Sequence, residues 1–522
     1  MFRANLRRIL TGAGILCLLL LSGNPSLILA DTTHVANPVG PGVVHHSYTI
    51  SEVPWTLDVL EIDWPNRHVT LRAAIARDTI NGSRVSPTSS IAADYDTTGY
   101  SVVGAVNADY FFIGESGLPT NLHIQRERAA TMPVNRAVYG LNHTDAMTIR
   151  VFDFIGSVSS SAGRERGLDG FNKSRGQNEL VLYNRYHGHS TRTNQWGTEL
   201  AIAPVGDWRI NSRTLCVITS RESEIGDMRI PVGGAVLSGH GSSADYLKNT
   251  FDTGDTIAVE MAFAPDFDRI VEAVGGGPKV LHHGVNISSV GIDGEQVPGH
   301  WNSRHPRTAI GFNSDTSKVF LVTVDGRQES SLGMTLPELV HFMKHELGAY
   351  HALNLDGGGS TTMVVRGAVE NSPSDGHERA VGNAMLVVSS TELDSVSRLE
   401  ISPDRREVYG GIEMQEGSTP PRRITADMQI QFRVRGWDRW HNPLPDSMMH
   451  LTFHADPAIG GITSNGLFTA AASHDSGYVW VESSTGVRDS AWIVVNTLER
   501  ITLYICRPGE EVRLDVLGQD MG

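Results

Sequence analysis

The sequence predicts an α+β architecture, a strand-rich mixed-sheet domain over 31–390 followed by an all-β sandwich over 396–497. Three observations lead there. At 522 residues the chain is several times longer than one hydrophobic core requires, so at least two domains are expected. Its 54 glycines are about a tenth of the chain, against an average of roughly 7%, which favours many turns and short strands over a helical bundle. Only one segment carries a strong helical signature, whereas short alternating apolar runs recur along the whole length. A hydrophobic content of 40% with 19% charged residues excludes a charge-rich disordered polymer, and the lack of a long apolar run after residue 30 excludes a multi-span membrane protein. The net charge of −15 disfavours nucleic acid, whose backbone needs a positive footprint on its partner.

Taken in order, residues 1–30 read as a signal peptide. Arg3, Arg7 and Arg8 precede the apolar stretch Ile15–Leu21, and Leu29-Ala30 offers a small residue for cleavage before Asp31. The run is short for a membrane span and is broken by Gly23, Asn24 and Pro25, so no stable transmembrane segment is expected after cleavage. Removing those three arginines takes the net charge from −15 to −18. The mature chain then keeps only Cys216 and Cys506, too few for a disulfide framework. His45-His46, His187-Gly188-His189 and His282-His283 lack further ligands at zinc spacing, so no metal or other cofactor is expected.

Alternation over Trp55–Ile62 and Val69–Ala73 predicts strands, and Val102–Val106 reads as another, apolar strand running directly into Asn107-Ala108-Asp109-Tyr110-Phe111. Thr335 and Glu338 form a capping box, and Leu336, Leu339, Val340, Met343 and Leu347 recur at helical spacing until Gly348. Strand-like Ala352–Leu355 follows, then Asp356-Gly357-Gly358-Gly359-Ser360, then strand-like Thr361–Val365. After Val388 a polar linker begins at Ser389-Ser390-Thr391, and few contacts are expected to cross it. Beyond it, short strands alternate with turns to about residue 497, the cadence of a sandwich. Leu399–Pro403, Phe432–Asp438 and Ala458–Ala470 in that region resemble a bacterial immunoglobulin-like module, with a turn at Asn465-Gly466 and a return strand anchored by Phe468. Residues 498–522 resume alternation and suggest the start of a further β segment.

Chemistry concentrates in four segments: Asn107–Phe111, His305–Gly311, Val324–Gln328 and Asn354–Thr361. Taken singly, each has an ordinary reading. Asp-Gly-Gly-Gly-Ser can be a tight turn, Arg307 a paired surface arginine, and Asp325-Gly326 a turn. Three successive glycines also let consecutive N–H groups form an anion-binding nest, with Ser360 and Thr361 adding hydroxyl donors, and Arg307 can clamp a phosphate in bidentate fashion.

In this order and spacing the segments resemble the phosphodiester glycosidase family. Gly275-Gly276-Gly277-Pro278 with Gly284, and Pro373-Ser374-Asp375 with Arg379, extend the match over roughly residues 95–390. Residues 165–205 are similar to the elaboration seen in bacterial members. Asp109 stands where animal members of the family carry glycine. The resemblance implies hydrolysis of the C–O bond between an anomeric carbon and a phosphodiester, with an alpha-N-acetylglucosaminyl or related cell-surface glycan as substrate. Under it, Asp356 is the first candidate for the carboxylate facing the anomeric centre, as nucleophile or as base for water. Asp325 is the second, and the two could be exchanged. Asn107 would orient sugar hydroxyls or the carboxylate. Arg307, Gly357, Gly358, Gly359, Ser360 and Thr361 would hold phosphate, with Arg379 a second cation and Asp109 a further binding residue. The enzyme is expected to be secreted or held at the cell surface, where the immunoglobulin-like module would meet cell wall or surface polysaccharide. The alternative is a non-catalytic glycan-binding or structural surface protein. P–O cleavage, which usually wants clustered metal-binding carboxylates and histidines, is the third reading.

Overall fold

The structure is a computed structural model that describes residues 32–80, 85–114, 117–403, 423–425 and 428–496. The expected signal peptide and the β segment over 498–522 lie outside the described residues.

Two sheets face each other across the main core of the first domain. One has eight strands in the order 32–40, 43–50, 55–63, 318–324, 307–312, 351–354, 279–282 and 285–286. The other has five, in the order 368–369, 363–365, 101–107, 383–389 and 69–75. Leu60, Ile310, Leu321 and Leu353 from the first meet Val103, Val106, Met363 and Met385 from the second, all fully buried. The strand Ser101–Asn107, buried from Val102 onward, accordingly carries the continuous apolar run Val102–Val106.

The capping box forms as the sequence predicts. Glu338 N–H donates to the Thr335 hydroxyl at 3.2 Å, and the Glu338 carboxylate accepts from Thr335 N–H at 2.8 Å. The helix Leu336–His345 lays Leu336, Leu339, Val340 and Met343 on the outer face of the eight-stranded sheet. A second helix, Thr88–Tyr95, covers the outer face of the five-stranded sheet with Ile91 and Ala92. The sequence hid it because its run Thr-Ser-Ser-Ile-Ala-Ala-Asp-Tyr has few strong helix formers and a narrow apolar stripe.

Residues 153–264 build a further eight-stranded sheet, and 123–150 with 270–275 a five-stranded one. The mixed character expected of the sheets reduces, in the first domain, to one short parallel pairing of Gly170-Phe171 with Val181-Leu182 among the described residues. Most neighbouring strands are joined by hairpins or long excursions that return antiparallel, and a parallel partner needs a crossover.

The C-terminal region forms two four-stranded sheets with Phe432, Phe468, Val479 and Val481 buried between them. Gly466 takes φ +84° in the turn before Leu467–Ala470, where a side chain would be strained. The contacts that cross the linker are few and centre on Arg366 and Trp440. Arg366 donates through Nε to Val39 O at 2.7 Å and through Nη2 to Asn442 Oδ1 at 2.9 Å, and His68 packs on Trp440. A buried guanidinium carries five donors, so Arg366 satisfies them on both sides of the boundary.

Candidate active site

A cleft of about 390 Å³ opens where the strands Arg307–Phe312 and His351–Asn354 end. These strands pair antiparallel, with Ala309 opposite Asn354. Beyond the pairing, Leu355 N–H still reaches Thr308 O at 2.8 Å and Gly358 N–H reaches Pro306 O at 2.9 Å. The chain is thus held against Pro306 and Arg307 while it turns. Gly357 has to be glycine here, since a Cβ would stand 2.6 Å from Pro306 O.

Between those anchors lies Asp356, fastened from the opposite sheet. Its N–H donates to Ala108 O at 2.8 Å, and its carbonyl accepts from Asn107 Nδ2 at 2.7 Å. Asn107 is itself locked, because its Oδ1 accepts from the Thr308 hydroxyl at 2.8 Å and from Thr362 N–H at 3.1 Å. Burial raises the Asp356 carboxyl to about 6, opposed by the Ser360 hydroxyl, the Arg379 guanidinium and the Gly357 N–H. Near neutral pH such a carboxyl is mostly ionised yet close to accepting a proton.

Cations ring it. Arg379 lines the cleft, ion-paired to Asp375 at 2.7 Å and 3.5 Å from the Ser360 hydroxyl. Arg327 lines it from the Asp325–Gln328 turn, 3.4 Å from His305 Nδ1. His300 and His305 also line it, both held below the ordinary histidine range by burial and then by Arg307. On the far wall Tyr110 donates to Gly277 O at 2.9 Å and accepts from Asn354 Nδ2 at 2.9 Å. Asn354 is buried, and its Oδ1 has no hydrogen-bond partner among the described residues. An orphaned buried acceptor in the wall of a cleft is suited to a ligand hydroxyl.

A carboxylate flanked by arginines at the ends of two strands can attack or activate water beside an anionic leaving group. Residues 217–388 match the family model described as phosphodiester glycosidase. Those residues form a phosphodiester glycosidase domain. The matched span holds most of the cleft, from His300 to Arg379.

Two curated proteins resemble parts of the chain. A prophage-derived uncharacterized protein, YomE, of Bacillus subtilis is 43% identical over 97 residues, 19% of this chain and 15% of that protein. Mouse N-acetylglucosamine-1-phosphodiester alpha-N-acetylglucosaminidase is 36% identical over 74 residues, 14% of each. The chain thus spans about a seventh of the length of the curated relatives it matches. Among solved structures, a hypothetical protein from Synechocystis superposes with a TM-score of 0.51 at 21% identity, covering 67% of this chain and 62% of that one, a likeness of fold.

The cleft gathers only part of the set expected from sequence. Asp356, Arg307, Gly357, Gly358, Gly359 and Arg379 line it. Asp325 does not. Its carboxylate is turned inward, accepting from Asn371 Nδ2 at 3.0 Å and Ser372 N–H at 3.0 Å, so it fastens the 371–372 segment instead of facing a sugar. Asn107 lies beneath the cleft, bonded to the Asp356 backbone, and is a positioning residue. Asp109 is also buried below it, accepting from Asn121 N–H at 2.7 Å, raised to about 7 by burial against the pull of Arg136. It does not touch the space a phosphate would occupy.

Arg307 lines the cleft with much of its donor set spent on carbonyls: Met334 O at 2.9 Å, Ser303 O at 2.7 Å and His300 O at 3.3 Å. The glycine loop is not a nest of free donors. Residues Gly358–Ser360 form a 3₁₀ turn in which Ser360 and Thr361 N–H donate to the Gly357 and Gly358 carbonyls and Gly358 N–H to Pro306 O, and the following strand starts only at Met363. Thr361 is buried and pairs with Thr308 at 3.4 Å. Arg327, His305, Tyr110 and Asn354 stand inside the quoted segments, but no local pattern singles them out. Their roles depend on which way each strand end turns.

Proposed function

We propose that this chain hydrolyses the bond between a sugar's anomeric carbon and the oxygen of a phosphodiester, releasing free sugar and a phosphomonoester. The observation that carries the reading is Asp356, pinned by Asn107 and Ala108 from one sheet and facing a cleft whose other walls carry Arg307, Arg327 and Arg379. Ionised, Asp356 attacks the anomeric carbon or takes the proton of the water that does. As the C1–O bond breaks, its electrons pass to the phosphate oxygen, where Arg327 and Arg379 offset the developing charge. A phosphomonoester leaves readily, so the neutral histidines need not supply a strong acid. Asn354 Oδ1 accepts from a sugar hydroxyl. An alpha-N-acetylglucosaminyl group is the sugar that the mouse relative's activity suggests. Export to the cell surface is supported by the arginines and apolar stretch of residues 1–30, and the C-terminal pair of sheets, immunoglobulin-like in sequence, would meet wall or surface polysaccharide.

Incubation with UDP-N-acetylglucosamine and simple glycosyl phosphodiesters in oxygen-18 water, with and without chelator, tests this. Label is expected at the sugar C1 hydroxyl. Label in the phosphate product would mean P–O cleavage and defeat the reading.

A further inference from the structure

A second cavity, of about 660 Å³, lies beyond the wall of the cleft. The partition is thin. Tyr110 faces the cleft and Thr120 the cavity, and Thr120 N–H donates to Tyr110 O at 2.9 Å. Arg136 braces both, its guanidinium 4.8 Å over the Tyr110 ring and bonded to the Thr120 hydroxyl. The opposite wall comes from 171–194, upstream of the span that matches the glycosidase family.

We infer that this cavity is a subsite for an anionic oligosaccharide, the continuation of the substrate chain beyond the cleaved unit. Its volume falls within the roughly 300–1,000 Å³ of small-molecule sites. Three features fix the ligand class. Aromatic surface is available for the apolar face of a sugar ring from Phe112, 46% exposed at the mouth, while Phe171 and Tyr183 are buried beneath the floor and support it. Amides and hydroxyls stand beside it at Asn172, Asn194 and Thr131. In a chain of net charge −15 the lining includes Lys173, Arg175 and Arg192 and, among the described residues, no carboxylate. Outside the lining, Glu179 pairs with Lys173 at 2.7 Å and Glu199 lies near Arg175 and accepts from the Thr193 hydroxyl at 2.8 Å, so two carboxylates stand against the three cations and offset them in part.

The subsite rests on the hydrolytic reading for its place in the substrate, and the experiment separates the two. Turnover of methyl N-acetylglucosaminyl-1-phosphate is compared with that of a synthetic trimer of N-acetylglucosamine units joined by 1-phosphodiesters. The wild type should favour the trimer by about tenfold in kcat/KM, a difference of about 1.4 kcal/mol. Phe112→Ala and Lys173→Gln should abolish the preference and leave methyl ester turnover intact. Equal kcat/KM for the two substrates, or variants that keep the preference, would overturn the subsite. If neither substrate is cleaved the hydrolytic reading fails, and calorimetry decides the subsite alone. Asp356→Asn protein should bind the trimer, and the Phe112→Ala, Asp356→Asn double variant should bind it about tenfold more weakly. No binding, or equally tight binding of neutral chitotriose, would overturn it.

Discussion

On the Asp356 carboxyl two influences compete, burial raising it to about 6 and Ser360, Arg379 and the Gly357 amide pulling it down. If its ionised form does the chemistry, kcat/KM should rise with pH through an acid limb near 6. Arg379→Gln removes one of the downward pulls, so the limb should move to higher pH, a shift visible in the pH profile that a merely structural arginine would not cause. Asp356→Asn should lower kcat by about 10²–10⁴-fold with little change in Tm, measured together. Asp325 invites a different measurement. Its folded pKa is raised to about 6, chiefly by burial, so between about pH 4 and 6 the folded protein keeps a proton that the unfolded chain has released. That contribution is complete below about pH 4 and is lost as pH climbs through 6. Asp325→Asn should therefore flatten the fall in stability between pH 4 and 7 by about 1–3 kcal/mol, read from denaturant melts. The two aspartates look alike in sequence, each followed by glycine after an apolar strand. What separates them is Asn371, which draws the Asp325 carboxylate inward from 46 positions away in the chain. No local pattern encodes that.

The ends of strands carry the site, and the strands themselves were legible. Val102–Val106, Trp55–Ile62 and the capped helix after Thr335 follow from alternation, apolar runs and a capping box. The clamp between elements was not, because Asn107 after a strand states only that a polar group sits at a sheet's end. Its three partners, the Asp356 carbonyl, the Thr308 hydroxyl and Thr362 N–H, come from two other elements and the site turn. Asn107→Ala would leave those groups buried and unpaired. A loss of about 1–3 kcal/mol in stability is expected, with kcat falling further than that loss accounts for and KM changing little, as befits a residue that positions Asp356. Gly357→Ala should act through the same junction, its Cβ forcing Pro306 and the turn apart. Activity lost at near-normal Tm would identify the turn's position as the sensitive quantity. The glycine run itself was readable as close approach, but its partners proved to be protein: the Pro306 carbonyl at Gly357 and the Arg327 and Arg379 guanidinium groups at Gly358 and Gly359.

At the scale of the whole molecule, the Arg366 clasp and the His68–Trp440 contact tie the C-terminal sheets to the first domain. All the lining residues of the cleft nevertheless precede residue 390. A chain ending near 392 should keep its kcat on a small soluble phosphodiester while its Tm falls by about 2–4 °C, the cost of a small polar interface. Inactive truncated protein, rescued only by the covalently attached C-terminal region, would show a shared core. The fastening of Asp356 by Asn107, across 249 positions, also has a meaning in time. At about 5–20 residues per second of synthesis, Asn107 exists for about 12–50 s before its partner is made. Throughout that wait the strand Ser101–Asn107 has neither ladder neighbour, since Met363–Val365 and Asn383–Ser389 are both translated later. A bare apolar strand edge is adhesive, so the emerging chain must be shielded at this segment more than at any hairpin whose halves arrive together. The same delay keeps the cleft unassembled until the polypeptide has been made past Arg379.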